Sequence, residues 1–133
     1  MKQKARRLKQ THNAAIIAVL PQLALLTLAA SLGLIGIGAI IGTRASSLPQ
    51  IYALTNIASF AVVMLTPAYY PIEVMPPALR PISLALPTTR AALLARNLLG
   101  IGSYDTAKHL ALLPALSAAY LALGFRGIKW REE

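Results

Sequence analysis

Two long stretches of this chain carry no charge at all. Residues 13 to 43 and 45 to 72 contain no Lys, Arg, Asp or Glu and are separated by Arg44 alone, and residues 109 to 125 form a third uncharged apolar run. A helix crosses the hydrocarbon of a bilayer with about 20 apolar residues and reaches its lower limit near 17. None of the three runs alternates apolar and polar residues as a barrel strand does, and in lipid a helix satisfies its own backbone. The chain therefore reads as an all-α membrane protein with three transmembrane helices, a multi-pass protein of the cell membrane.

The composition agrees, with 56% hydrophobic and 13% charged residues against about 25% charged in an ordinary globular domain. A chain of 133 residues holds three spans and short loops and no second folded domain. The net charge of +9 falls at the chain ends and between spans, without interleaved aromatics, so it suits a lipid surface and not nucleic acid. The absence of cysteine removes disulfides, thiolate metal sites and a Cys nucleophile. A basic stretch followed by an apolar one also opens a signal peptide, but this run far exceeds an h-region of about 7–15 residues and should be a retained span.

Residues 1–13 form a basic arm, five cations in the first ten positions with no acid among them, expected to be partly helical at a membrane surface. The transmembrane body covers 14–126 and a polar tail 127–133. The first span, about 14–42, would be ~44 Å long at 1.5 Å per residue, so it should tilt or kink near Pro21. Gly33, Gly38 and Gly42 along it offer a helix-packing face, Gly38 and Gly42 at the small-xxx-small spacing. Arg44, Ser46 and Ser47 before Pro49 are turn chemistry. The second span, about 50–68, carries Asn56, which is expected either to hydrogen-bond a neighbouring helix or to line a substrate path. The third, about 109–125, contains Pro114, where a kink or a start near 111 is expected.

The segment between the second and third spans is the unusual one. Six of the nine prolines fall between Pro67 and Pro87. Proline stops a helix but is accepted in its first turn, so Pro76-Pro77 and Pro87 should open two short helices, about 77–85 and 88–99. Neither can span. Both are apolar along much of their length yet carry Arg80, Arg90 and Arg96, which suggests a re-entrant or interfacial pair, with Tyr69 and Tyr70 marking the bilayer edge. Glu73 near the start of the first short helix would be favoured by its dipole. Glu73 is a candidate for gating or for contacting a cationic substrate, and Arg90 and Arg96 for an external gate or headgroup contact, with interfacial snorkelling and pairing of the arginines to Glu73 or Asp105 as the structural alternative.

The order of these features, an apolar span, Tyr69-Tyr70-Pro71-Ile72-Glu73, Met75-Pro76 with Leu79, Leu86-Pro87-Thr88-Thr89 and Arg96 nine residues beyond the proline, resembles the carboxy-terminal half of type-2 ABC exporter permeases over residues 14 to 126. The resemblance implies a transmembrane component of an ATP-driven exporter, with residues 71–102 as external re-entrant helices and Arg44, Ser46 and Ser47 in a turn facing an ABC-type ATPase subunit. No G-x-x-x-x-G-K-[ST] occurs, so hydrolysis would belong to that separate chain. The family has about six spans and this chain three, so it reads as a partial, split or degenerate subunit that pairs with a second permease chain, either a copy of itself or a companion half. The same resemblance puts the N-terminal arm outside, while the positive-inside rule, with nine cations on that side against four on the other, puts it inside. No set of polar residues forms a catalytic constellation and no cofactor is implied. A small membrane interaction or assembly protein that transports nothing is the other reading.

Overall fold

In the computed structural model residues 2–128 are described, and among them there are helices and no strands. Lys129, Trp130 and Arg131 of the expected tail lie outside the described residues. Helix α1 spans Lys2–Arg44, α2 Leu48–Leu65, α3 Arg80–Leu84, α4 Pro87–Leu98 and α5 Thr106–Gly127, with a single 3₁₀ turn at Ile72–Val74. Three segments, Asn13–Arg44, Leu48–Leu65 and Thr106–Gly127, are long and apolar enough to cross a membrane.

The arm and the first span are one helix. Pro21 sits inside α1 and the helix runs through it, so loss of one backbone N–H does not interrupt the element. Thr27 and Ser31 donate their hydroxyls to the carbonyls of Leu23 and Thr27, both at 2.8 Å, which settles two polar side chains within an apolar stretch. The second span is shifted from the expected 50–68. It begins at Leu48, because Ser47 is extended and Pro49 fits the first helical turn, and ends at Leu65, because Thr66 before Pro67 is extended. The third begins three residues before the expected 109, since the Asp105 carboxylate caps it by accepting from the Lys108 backbone N–H at 3.2 Å. It passes through Pro114 without restarting at 111.

Both short segments are helical, although Pro76-Pro77 starts nothing. The first proline restricts its neighbour to extended backbone and its carbonyl closes a turn with the Leu79 N–H at 2.9 Å; the helix opens at Arg80 with Pro81 in its first turn. Pro87 opens α4 as expected.

Helices α1 and α5 run parallel. Leu26 packs with Leu113, Ser117 donates to the Ala29 carbonyl at 2.7 Å, and Gly36 meets Tyr120 and Gly124 further along. At this crossing the backbones themselves touch: a Cβ on Gly124 would lie 2.7 Å from the Gly36 carbonyl oxygen. Helix α4 returns antiparallel into the groove between them, from Gly33 at its Pro87 end to the level of Gln22 at Leu98. Leu26, Leu94 and Leu113, one from each helix, form the core, with Leu23, Ala29, Ala91, Ala95 and Leu98 packed around it. The α3–α4 corner reaches Ser117 and Tyr120, whose hydroxyl bonds the Ala85 carbonyl at 3.2 Å. Ser117 is eleven residues beyond Thr106, so the corner sits ~16 Å along α5.

The packing face on α1 is therefore not the expected one. Gly33 is buried against Pro87 and Ser117, but Gly38 and Gly42 are exposed, with nothing within 4 Å of where a Cβ would stand, and Gly36 takes the close contact instead. Positions 29, 33 and 36 follow the 3.6-residue period that keeps one face towards α5; 38 and 42 lie off it. Helix α2 stands largely apart, with no buried residue.

Candidate functional site

Polar chemistry concentrates where the connection from α2 folds back against the start of α5. The 3₁₀ turn, α3, α4 and the first turn of α5 enclose a cleft of about 360 Å³ lined by Glu73, Arg80, Arg90, Tyr104, Lys108 and His109 with three apolar side chains. Local structure places each of them. Arg80 opens α3 and turns back, Nε donating to the Met75 carbonyl at 3.0 Å and an Nη to the Glu73 carbonyl at 2.6 Å. Asn97 near the end of α4 binds both backbone groups of Tyr104, its amide donating to the carbonyl at 2.7 Å and its oxygen accepting from the N–H at 3.0 Å, which fixes the loop entering α5. Gly100, at φ +70°, supplies the left-handed residue that ends α4.

Arg90 is the least expected member. It is 9% exposed, its Nε donates to the Leu84 carbonyl at 2.9 Å, and one Nη lies 2.8 Å from Nδ1 of His109, itself 8% exposed. A guanidinium cannot accept, so Nδ1 must be the bare ring nitrogen and His109 a neutral imidazole with its proton on Nε2. Burial lowers the Arg90 pKa from its ordinary value, but both of its partners are neutral acceptors and no carboxylate is among them. Glu73 accepts from the Tyr104 hydroxyl at 3.3 Å instead. Burial first, then that bond and the charge of Glu73, raise the Tyr104 pKa. The ring of Tyr104 stands edge-on to His109 with centroids 6.4 Å apart.

Of the four candidate gate residues, the fold brings together two, Glu73 and Arg90, in this cleft. They do not pair, and neither Arg90 nor Arg96 bonds Glu73 or Asp105. Arg96 does not line this cleft; it reaches the Pro67 and Tyr70 carbonyls at 3.5 and 3.4 Å, with its Nε buried and unpartnered. Asn56 is exposed on α2, off the face that Thr55, Ala58, Ser59 and Val62 turn to α1. Sequence reasoning gave Tyr104, Lys108 and His109 no place in a site. The signal available was the charge imbalance of the 73–109 connection, since nothing in linear spacing relates Arg90 to His109.

At the opposite end, Arg44 closes α1, and Ser46 donates its N–H and hydroxyl to Oε1 of Gln50 at 3.0 and 2.9 Å, while Ser47 is the extended residue ahead of α2. This turn and the end of α5 border a second cleft of about 790 Å³, with Arg44 and Arg126 on its wall. No family model, curated protein or solved structure matches this chain.

Proposed function

We propose that this chain is the transmembrane component of an ATP-driven ABC-type exporter of the cell membrane, acting with a separate ATPase subunit and a second permease chain. The observation that supports the reading is the helical hairpin: a connection opened by prolines folds back as α3–α4 and lies lengthwise between two parallel spans, its corner about halfway along α5. Backbone that leaves helix at such depth is tolerated only when protein covers it. Here Ser83 donates to the Leu65 carbonyl at 2.6 Å and meets Thr89 at 3.1 Å, while Thr66 meets Thr88 at 2.8 Å, so the polar groups of the corner are occupied from within.

The path between two such permeases runs along α2 and Asn56, not along the glycine face of α1, which α4 and α5 already occupy. Engagement of the ATPase falls on the Arg44–Ser47 turn, beside which the α5 terminus leaves an open cleft. Closing of the ATPases would pull on this turn and shift α2, the span with least holding it to the rest.

Single cysteines, clean in a cysteine-free chain, test the reading. Ser46→Cys should label only from the ATPase side and crosslink to a copurifying ATPase subunit; Ala78→Cys should label only from the opposite side. Labelling of both from one side, or a chain that binds no ATPase and remains a three-span monomer, would replace the exporter with a membrane interaction protein.

A further inference from the structure

The cleft at the base of α5 holds three permanent cations, Arg80, Arg90 and Lys108, against one carboxylate, Glu73. A charge withdrawn from water without a counter-charge is costly, and the usual remedy is an ion pair. Arg90 has none: its two bonds go to a backbone carbonyl and a neutral imidazole, while the carboxylate that lines the cleft, Glu73, is engaged by Tyr104. Lys108 is exposed and Asp105, three residues before it, caps α5 through the backbone, so its carboxylate is turned to the helix end and not to the cleft wall. Arginine and lysine around one concavity, with the His109 Nε2–H as a further donor, form a set that recognises a tetrahedral oxyanion. The volume, about 360 Å³, stands at the lower end of ligand pockets, roughly 300–1,000 Å³, which suits one phosphate-sized headgroup.

We propose that this cleft binds a phosphate group, held by Arg90 from within and by Arg80 and Lys108 at the mouth. The arrangement requires no ATPase, so the proposal stands on the cleft alone and its failure leaves the exporter reading where it was. Two sources offer the same chemistry: the headgroup of an anionic phospholipid, which the apolar surroundings of α4 and α5 would bring alongside, and a water-soluble phosphate.

The test is retention of dioleoylphosphatidylglycerol by the full-length chain in detergent, read by native mass spectrometry, with dioleoylglycerol, which has the same acyl chains and no phosphate, as the control. The site predicts preferential retention of phosphatidylglycerol. It also predicts about tenfold weaker retention in Lys108→Gln, and retention strengthened by about the same factor in Glu73→Gln, one charge-assisted contact being lost or one repulsion removed. The opposed signs keep the test readable where Arg90→Gln fails to fold, since a misfolded protein does not gain affinity. If the two lipids are held alike but inorganic phosphate raises the melting temperature of the natural chain and not of Lys108→Gln, the cleft takes its phosphate from water. Phosphatidylglycerol held equally by all three proteins, or no response to lipid or phosphate, overturns the proposal.

Discussion

Helices α2 and α5 are both long and apolar enough to cross a membrane, yet α2 has no buried residue while α5 buries His109, Leu113, Ser117 and Gly124. Apolar character makes a helix compatible with lipid; it does not make it pack. Lipid tails are as apolar as leucine, so helices associate in a membrane through close backbone approach and specific hydrogen bonds. Helix α5 has both, in Gly124 against Gly36 and Ser117 against the Ala29 carbonyl. Helix α2 offers Thr55, Ala58 and Ser59 to α1 across a gap of about 250 Å³. It is held chiefly at its end, where the Met64 and Leu65 carbonyls accept from Tyr70 and Ser83.

The largest expected effect breaks the α1–α5 seam. Gly36→Leu or Gly124→Leu places a side chain into backbone with no flexible neighbour to yield, so the helices must separate; the loss should exceed the ~1–3 kcal/mol of ordinary overpacking. Gly38→Leu, with nothing within 4 Å of its Cβ position, should leave stability within about 0.5 kcal/mol. Melting temperatures in detergent separate the two, and equal losses would mean that α2 closes onto Gly38 in solution.

Next in size is the tether of α2. Ser83→Ala removes the donor to the Leu65 carbonyl and leaves a half-buried acceptor unmet, costing about 1 kcal/mol or somewhat more. Its diagnostic consequence is motional. A crosslink between cysteines at Ile41 and Thr55, which line opposite walls of the α1–α2 gap, should form less readily once the far end is released. An unchanged crosslinking rate would show that the turn at Ser46 and Gln50 is enough to hold the helix.

How much of this was legible beforehand follows the same division. Charge-free runs announce spans, and proline positions announce the short helices, because both are local properties of the chain. Which glycines pack is not local: Gly38 and Gly42 satisfy a spacing motif, but the face of α1 that meets α5 is set by where α4 inserts, through Gly33 and Pro87. Arg90 and His109 belong to different helices, brought together only by the hairpin. The positions at which Pro76 and Pro77 mislead share a cause. Proline constrains its own φ and its neighbour, while the surrounding packing decides whether a helix starts, continues or waits.

A smaller effect comes from the hydrogen bond within the seam. Ser117→Ala deletes the donor to the Ala29 carbonyl without creating a cavity of consequence, and that carbonyl retains its place in the α1 ladder. Interhelical bonds in membranes average about 0.6 kcal/mol, so the melting temperature should fall slightly. A loss comparable to Gly124→Leu would mean that hydrogen bonding, not close approach, sets the α1–α5 pairing.

The smallest expected change is the most informative about partners. Ile57 and Phe60 are 67% and 68% exposed on α2, so Ile57→Ala and Phe60→Ala remove no contact within one chain. In a monomer surrounded by lipid or detergent each should alter stability by less than about 0.5 kcal/mol. Truncation of a side chain buried between two chains costs more, about 2–5 kcal/mol at a well-packed core position. Crosslinking or size measurements on Ile57→Ala therefore decide whether α2 is bare or covered. If the substitution leaves both assembly and melting temperature unchanged, no second chain sits on this face. If it dissociates an assembly, the exposed face of α2 is one that a second chain covers, and the contrast with α5 becomes one between an internal and an intermolecular seam.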